Sequence, residues 1–247
     1  MSFNACWTNA DVENCGKVDL MGRAPTQRSW LVILVSVSLA VTIQAVLPST
    51  SDRADRRLVA RILTGPRFAE MQSTEARVVR IVCFVDLQCP SCMTALPMYR
   101  EVVWEFNREH GQVNATLELR HFPLDPDCNR VVGARPNAIG CKASAVLQAA
   151  VERDGSETAI DHALKVLQAN PLTEDTLPAL LSLDRESLAS SADRLSAAVS
   201  RDVKLGLTYG VIATPTVFVD GFRVRGPSRQ VLSGLLASEE ISARPRQ

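Results

Sequence analysis

The sequence predicts an α/β fold in which a βαβ unit and a ββα unit flank a helical insertion, all behind an N-terminal transmembrane helix. Three observations predict it. A β-branched run from Val78 to Val85 leads straight into a Cys-Pro-Ser-Cys helix start. Pro215 stands directly before a second apolar strand that turns at Asp220-Gly221. Between the two, residues 138–205 are spaced as helices. The 247 residues suffice for one domain of ordinary size with appendages, and a 46% hydrophobic content supports a packed core. Lys+Arg and Asp+Glu both number 27, so no basic surplus points to a nucleic-acid partner.

The first element is residues 30–47, WLVILVSVSLAVTIQAVL, with no charge and a stop at Pro48. Eighteen helical residues span roughly 27 Å, near the lower limit for crossing a bilayer. The segment reads as a transmembrane anchor or as the apolar part of an export signal. A retained anchor is preferred, because only a weak small-x-small site, Ile43-Gln44-Ala45, follows the run. Residues 1–29 are a cytoplasmic leader or, if the natural start is Met21, partly an extension: MGRAPTQRS is itself a short basic export start. Arginines flank both sides, so charge alone does not orient the segment.

Residues 48–75 read as a Ser/Thr/Arg-rich linker with a short amphipathic helix, and the folded domain is expected over 76–238. VVRIVCFV is apolar on both faces, the pattern of a central strand. Pro90 to His110 follows as a helix with an apolar stripe at Leu96, Tyr99, Val103 and Phe106, kinked at Pro97. Val113 to Phe122 alternates as a second strand. The insertion at about 138–205, broken by Gly155, Pro171 and Pro178, suggests four helices. The hairpin from Pro215 turns at Asp220-Gly221. Ser228 caps a last helix that ends near Ser238, and 239–247 is a tail.

Seven cysteines are present: Cys6, Cys15, Cys83, Cys89, Cys92, Cys128 and Cys141. Cys89 falls at a helix N-terminus, where unpaired amides and the helix dipole favour a thiolate. Cys92 lies one turn on, on the same face, within disulfide reach. Cys89 is therefore the expected attacker and Cys92 the resolver. Pro215 would add a cis bond at Thr214-Pro215, turning the Thr214 backbone toward Cys89 to receive an extended substrate. Cys83, in mid-strand, reads as an inert buried residue. His110 falls at a helix end, and the histidines show no metal-ligand spacing.

Residues 84–92, FVDLQCPSC, together with Thr214-Pro215-Thr216 resemble the thioredoxin-like thiol–disulfide oxidoreductases of the bacterial Dsb group. The cysteine motif is closest to DsbC and DsbG, the helical insertion to DsbA. The stretch His121 to Asn129, with Gly140 to Ala145, resembles thioredoxin-like domains that work with vitamin K epoxide reductase-type membrane proteins. The resemblance implies exchange with cysteine-containing protein substrates, no metal and no organic cofactor. It also implies a membrane redox partner, quinone-linked or vitamin K epoxide reductase-type. Where relatives place a buried acid six residues before the first cysteine, this chain has Cys83, which leaves Asp86 as the candidate for proton handling. Cys128 and Cys141 are expected to form a second, structural disulfide, worth about 3 kcal/mol by loop entropy, or else to relay electrons. Such a bridge belongs to an oxidising compartment and places the domain in the periplasm or outside the cell, anchored or, if the segment is cleaved, free. Pro-Ser between the cysteines leaves oxidation, reduction and isomerisation open.

Two other readings remain. Cys89, Cys92, Cys128 and Cys141 could bind zinc as four thiolates, although a ribbon would repeat the Cys-x-x-Cys spacing. Alternatively, the pair could staple a membrane-tethered chaperone or interaction domain.

Overall fold

Strand β1, Val78–Val85, sits in the middle of a four-stranded sheet of order β2-β1-β3-β4. Its side chains alternate between two apolar layers. Val79, Ile81, Cys83 and Val85 enter one core cluster; Val82 and Phe84 enter another on the opposite face. β2, Asn114–His121, runs parallel to β1, with Val85 opposite His121. β3, Thr216–Val219, and β4, Phe222–Arg225, complete the sheet antiparallel. The computed structural model describes residues 50–75, 78–111, 114–133, 138–169 and 171–242. All of them belong to the unit Ser49–Gln247. The anchor expected at 30–47 lies outside the described residues. Among the described residues, no helix is long and apolar enough to cross a membrane.

Helix α1, Thr50–Leu63, is the amphipathic helix expected within 48–75, beginning earlier and ending just before Gly65-Pro66. Val59, Ile62 and Leu63 lie three and four residues apart, so they form one narrow stripe, and this stripe packs on the main core. Val59 Cγ2 would lie only 3.2 Å from a Cβ on Gly234, which shows how closely α1 approaches the last long helix. A 3-10 turn, Ala69–Met71, then buries Met71 beneath the second layer. The segment between them is tied to the hairpin turn. Arg67 pairs with the fully buried Asp220 carboxylate, the Arg67 Nε donates to the Asp220 carbonyl at 2.9 Å, and the Ser73 amide reaches Asp220 Oδ1 at 3.2 Å. Asp220 and Gly221 both have positive φ, 45° and 90°, as a two-residue hairpin of this twist requires.

Helix α2, Pro90–Glu109, runs without interruption through Pro97. It lays Leu96, Tyr99, Val102 and Phe106 on the face of the sheet that carries Cys83. His110 closes it, its ring stacked on Phe106 at 4.3 Å.

Among the described residues, the insertion contains five helices where about four are expected: α3 Gly140–Asp154, α4 Ala159–Gln168, α5 Leu177–Leu180, α6 Arg185–Ser190 and α7 Ala192–Thr208. α5 carries Pro178 in its first turn, and α6 is capped by Asp184, whose carboxylate accepts from the Ser187 amide at 2.8 Å. α7 covers the second face of the sheet. A Cβ on Gly206 would stand 2.7 Å from Phe122 and 3.1 Å from Phe84, so only glycine lets the helix come this close. Asp202 fastens α7 to β2, accepting from the His121 amide and the Arg120 guanidinium, each at 3.0 Å. Helix α8, Arg229–Leu236, is capped by Ser228, which accepts from the Val231 amide, and α9, Glu239–Ser242, ends the described chain.

Candidate active site

The end of β1 delivers a tight turn to the start of α2. The Cys89 amide donates to the Asp86 carbonyl at 3.0 Å, and the Gln88 amide donates to the Asp86 carboxylate at 2.9 Å. Cys89 is the N-cap of α2 with extended backbone, and Pro90 takes the first helical position, where no amide hydrogen is needed. The Cys92 and Met93 amides both point back to the Cys89 carbonyl, at 3.0 and 3.2 Å. Cys89 keeps 9% of its surface exposed, whereas Cys92 and Cys83 keep none. All three are free thiols.

Opposite them, the Thr214-Pro215 peptide bond is cis and precedes β3. The Cys89 thiol donates to the Thr214 carbonyl at 3.4 Å. The sequence therefore brings Cys89, Cys92, Thr214 and Pro215 to one place from segments 125 residues apart.

The electrostatics separate the two thiols. A hydrogen bond from the Cys92 thiol is the foremost reason that the Cys89 pKa falls to about 5. Burial opposes this fall. Thr214, whose buried hydroxyl has no other partner, and the amides of Cys92 and Ser91 add to the pull. Cys92 moves the opposite way: its hydrogen bond to Cys89 raises its pKa, burial adds to that, and the Cys89 charge adds further. Burial alone pushes the Cys83 thiol up, so it stays protonated. Tyr99 lies beside Cys83 and Cys92 with a buried hydroxyl that has no hydrogen-bond partner, and burial raises its pKa too.

Asp86 is fully buried, and its carboxylate is engaged by the Gln88 amide. What Asp86 offers to the Cys92 sulfur is a main-chain hydrogen bond. His121 ends β2 under the same layer, holding Gln148 at 3.2 Å, and burial lowers its pKa.

Cys128 and Cys141 are joined in a disulfide, with Cα atoms 5.9 Å apart. Their sulfurs are therefore not thiolates that could complete a four-cysteine zinc site with Cys89 and Cys92. Among the described residues, no group of His, Cys, Asp and Glu is arranged to hold a metal ion.

Sequence reasoning missed several parts of the site. Gln88, just before Cys89, accepts the Ile139 amide at 2.9 Å and so ties the active turn to the start of α3. Gly140 sits where a Cβ would be 3.1 Å from Pro123 and 3.3 Å from the Asp86 carboxylate. Two clefts open on Cys89. One, of 560 Å³, is bordered by Met93, Val166 and Leu172; the other, of 430 Å³, by Leu124, Val132 and Ile212. A third, of 640 Å³, opens on Thr214 and Pro215. Met93 and Ile212 are 42% and 66% exposed, an apolar rim that the sequence signals only as stray hydrophobics.

The sequence profile of the thioredoxin family matches residues 73–233. No curated protein matches the sequence at a significant level. Among solved structures, the thiol-disulfide exchange protein alpha-DsbA2 from Wolbachia pipientis is similar at 15% identity and a TM-score of 0.50, covering 77% of this chain and 98% of that one. BcfH from Salmonella enterica Typhimurium is similar at 16% identity and a TM-score of 0.50, covering 87% of this chain and 90% of that one. At such identities these likenesses concern the fold.

Proposed function

This chain belongs to the thioredoxin family, and from that premise we propose that it is a thiol–disulfide oxidoreductase acting on cysteine-containing proteins through Cys89 and Cys92. One observation carries the reading. Cys89 stands at the mouth of α2, its sulfur 3.4 Å from the carbonyl of the cis-proline loop, with a fully buried second thiol behind it.

The Cys89 thiolate attacks one sulfur of a substrate disulfide. An S–S bond forms between Cys89 and the substrate, and the other substrate sulfur leaves as a thiolate that takes a proton from solvent. The negative charge on Cys89 is now gone, and with it the main cause of the raised Cys92 pKa. Cys92 gives up its proton and attacks Cys89 Sγ, so the second substrate sulfur leaves as a thiol. The substrate is reduced by two electrons and Cys89-Cys92 becomes a disulfide; run backward, the same steps oxidise a dithiol. Thr214 offers its backbone to the substrate strand. Asp86, fully buried beside Cys92, remains the candidate for proton handling, and Cys128–Cys141 the candidate structural bridge.

The lowered Cys89 pKa stabilises the reduced fold. That contribution is fully present above the unfolded thiol's pKa of about 8.5 and is lost as the pH falls through about 5. The disulfide form has no such titration, so against a couple whose thiols stay protonated, such as glutathione, the reduced state gains on it as the pH rises from about 5 toward 8.5.

The oxidised Cys128–Cys141 pair and the apolar run at 30–47 support an extracytoplasmic domain on a single membrane anchor. A quinone-linked or vitamin K epoxide reductase-type membrane protein would reset the pair. Cys92→Ala tests the reading: it leaves the attacking thiol but removes the resolving one, so mixed disulfides with protein substrates should accumulate and survive non-reducing electrophoresis. Their absence, with Cys89 still alkylated, would reject the proposal.

A further inference from the structure

We propose that the Cys128–Cys141 disulfide determines substrate selectivity, by holding residues 124–133 as one wall of an apolar cleft that takes the side chain next to the substrate's reacting cysteine. The inference rests on the oxidoreductase reading above. The 430 Å³ cleft is lined, among the described residues, by Cys89, Pro90, Leu124, Val132, Gly133 and Ile212, none of them charged. Cys89 lines this cleft as it lines the 560 Å³ one, so a residue bonded next to a sulfur captured by Cys89 has this cleft within reach on one side of the bond. An aliphatic side chain would find mostly apolar neighbours there, whereas a polar one would give up part of its water for few partners.

The wall has no secondary structure of its own, so something must hold it. Asp125 holds its near end: its carbonyl takes the Asn129 amide at 2.9 Å and its carboxylate takes the Asp127 amide at 3.1 Å. The fully buried Asn129 donates to the Pro123 carbonyl at 3.0 Å, and the Val132 amide donates to the Asn129 carbonyl at 3.2 Å. Besides Pro123 and the core under Leu124, this knot is fastened to Cys141, in the first turn of α3, in two ways. One is the Cys141 amide on Asp125 Oδ2, at 2.9 Å; the other is the disulfide itself. The start of α3 is in turn tied to the Cys89 turn through the Ile139 amide on Gln88. Disulfide, wall, cleft and nucleophile thus form one closed circuit. Leu124 also packs on the second core cluster, so opening the disulfide leaves that contact to hold the Leu124 end and hydrogen bonds to hold the Val132 end relative to Cys89.

Two heptapeptides identical except for Leu or Ser next to their cysteine, each carried as a mixed disulfide with thionitrobenzoate, supply the test. Reduced protein releases the coloured thiolate in a single turnover, and the peptide dependence gives a half-saturation concentration and a limiting rate. Wild type is expected to prefer the Leu peptide by roughly 10-fold. Cys128→Ser/Cys141→Ser should bring that preference to within about 2-fold, through the half-saturation concentration rather than the limiting rate. A folded double variant that keeps the preference, or that loses limiting rate for both peptides alike, overturns the inference.

Should the double variant not fold, wild type decides. Hydrogen exchange at residues 124–133 should quicken when a phosphine reduces Cys128–Cys141, and unchanged exchange there overturns the inference. If wild type reacts with neither peptide, the oxidoreductase reading itself fails. If it reacts with both and prefers neither, only this inference does.

Discussion

Cys89→Ser is expected to lower disulfide exchange by on the order of 10⁴-fold, to the level of the solution reaction. The size of the effect follows from how the other thiols are kept. Cys92 and Cys83 have no exposed surface, and their pKa values are pushed up by burial and, for Cys92, first by its hydrogen bond to Cys89. A serine hydroxyl at 89 cannot ionise near neutral pH and cannot form the mixed disulfide. Among the described residues, the other free thiols are Cys83 and Cys92, both fully buried. Exchange between a dithiol peptide and glutathione, followed by fluorescence, measures this loss. Residual activity within about 10-fold of wild type would mean that another thiol does the work.

Asp220→Ala is expected to destabilise the domain by about 3–5 kcal/mol, the usual consequence of removing one partner of a buried ion pair. Asp220 is fully buried at the β3–β4 turn and Arg67 is largely buried against it, so truncation leaves a guanidinium with no counter-charge. The same carboxylate holds the Ser73 amide. Its backbone has positive φ, which aspartate tolerates better than alanine. Asp220→Asn keeps the turn preference and a hydrogen-bond acceptor, so it should cost clearly less. Urea unfolding of both variants measures the difference. Equal, small losses would show that residues 67–73 are held by packing rather than by this pair.

Much of this architecture is legible in the sequence, and the parts that are not share a cause. VVRIVCFV marks β1 because a strand buried on both faces needs an unbroken apolar run. Cys89 and Cys92 stand out because a helix start and a one-turn spacing are local properties. Pro215 is legible as punctuation before a strand. Helix α1 is legible as a short amphipathic helix but its docking on the core is not, because the three apolar residues that follow DRADRR give only a narrow stripe and its partner α8 begins at Arg229. The four-residue α5 and six-residue α6 are too short to display a helical period. The Gln88–Ile139 hydrogen bond and the cleft between Leu124, Val132 and Ile212 arise from segments far apart in the chain, and no local pattern encodes their meeting.

The central claim is that α2 and Cys92 together hold the Cys89 sulfur ionised. The rate of Cys89 alkylation by iodoacetamide, followed by mass spectrometry from pH 3 to pH 10, tests it most directly. A single transition with its midpoint near pH 5, and a plateau through neutral pH, is the predicted result. A midpoint near pH 8.5, that of an unperturbed thiol, would contradict it.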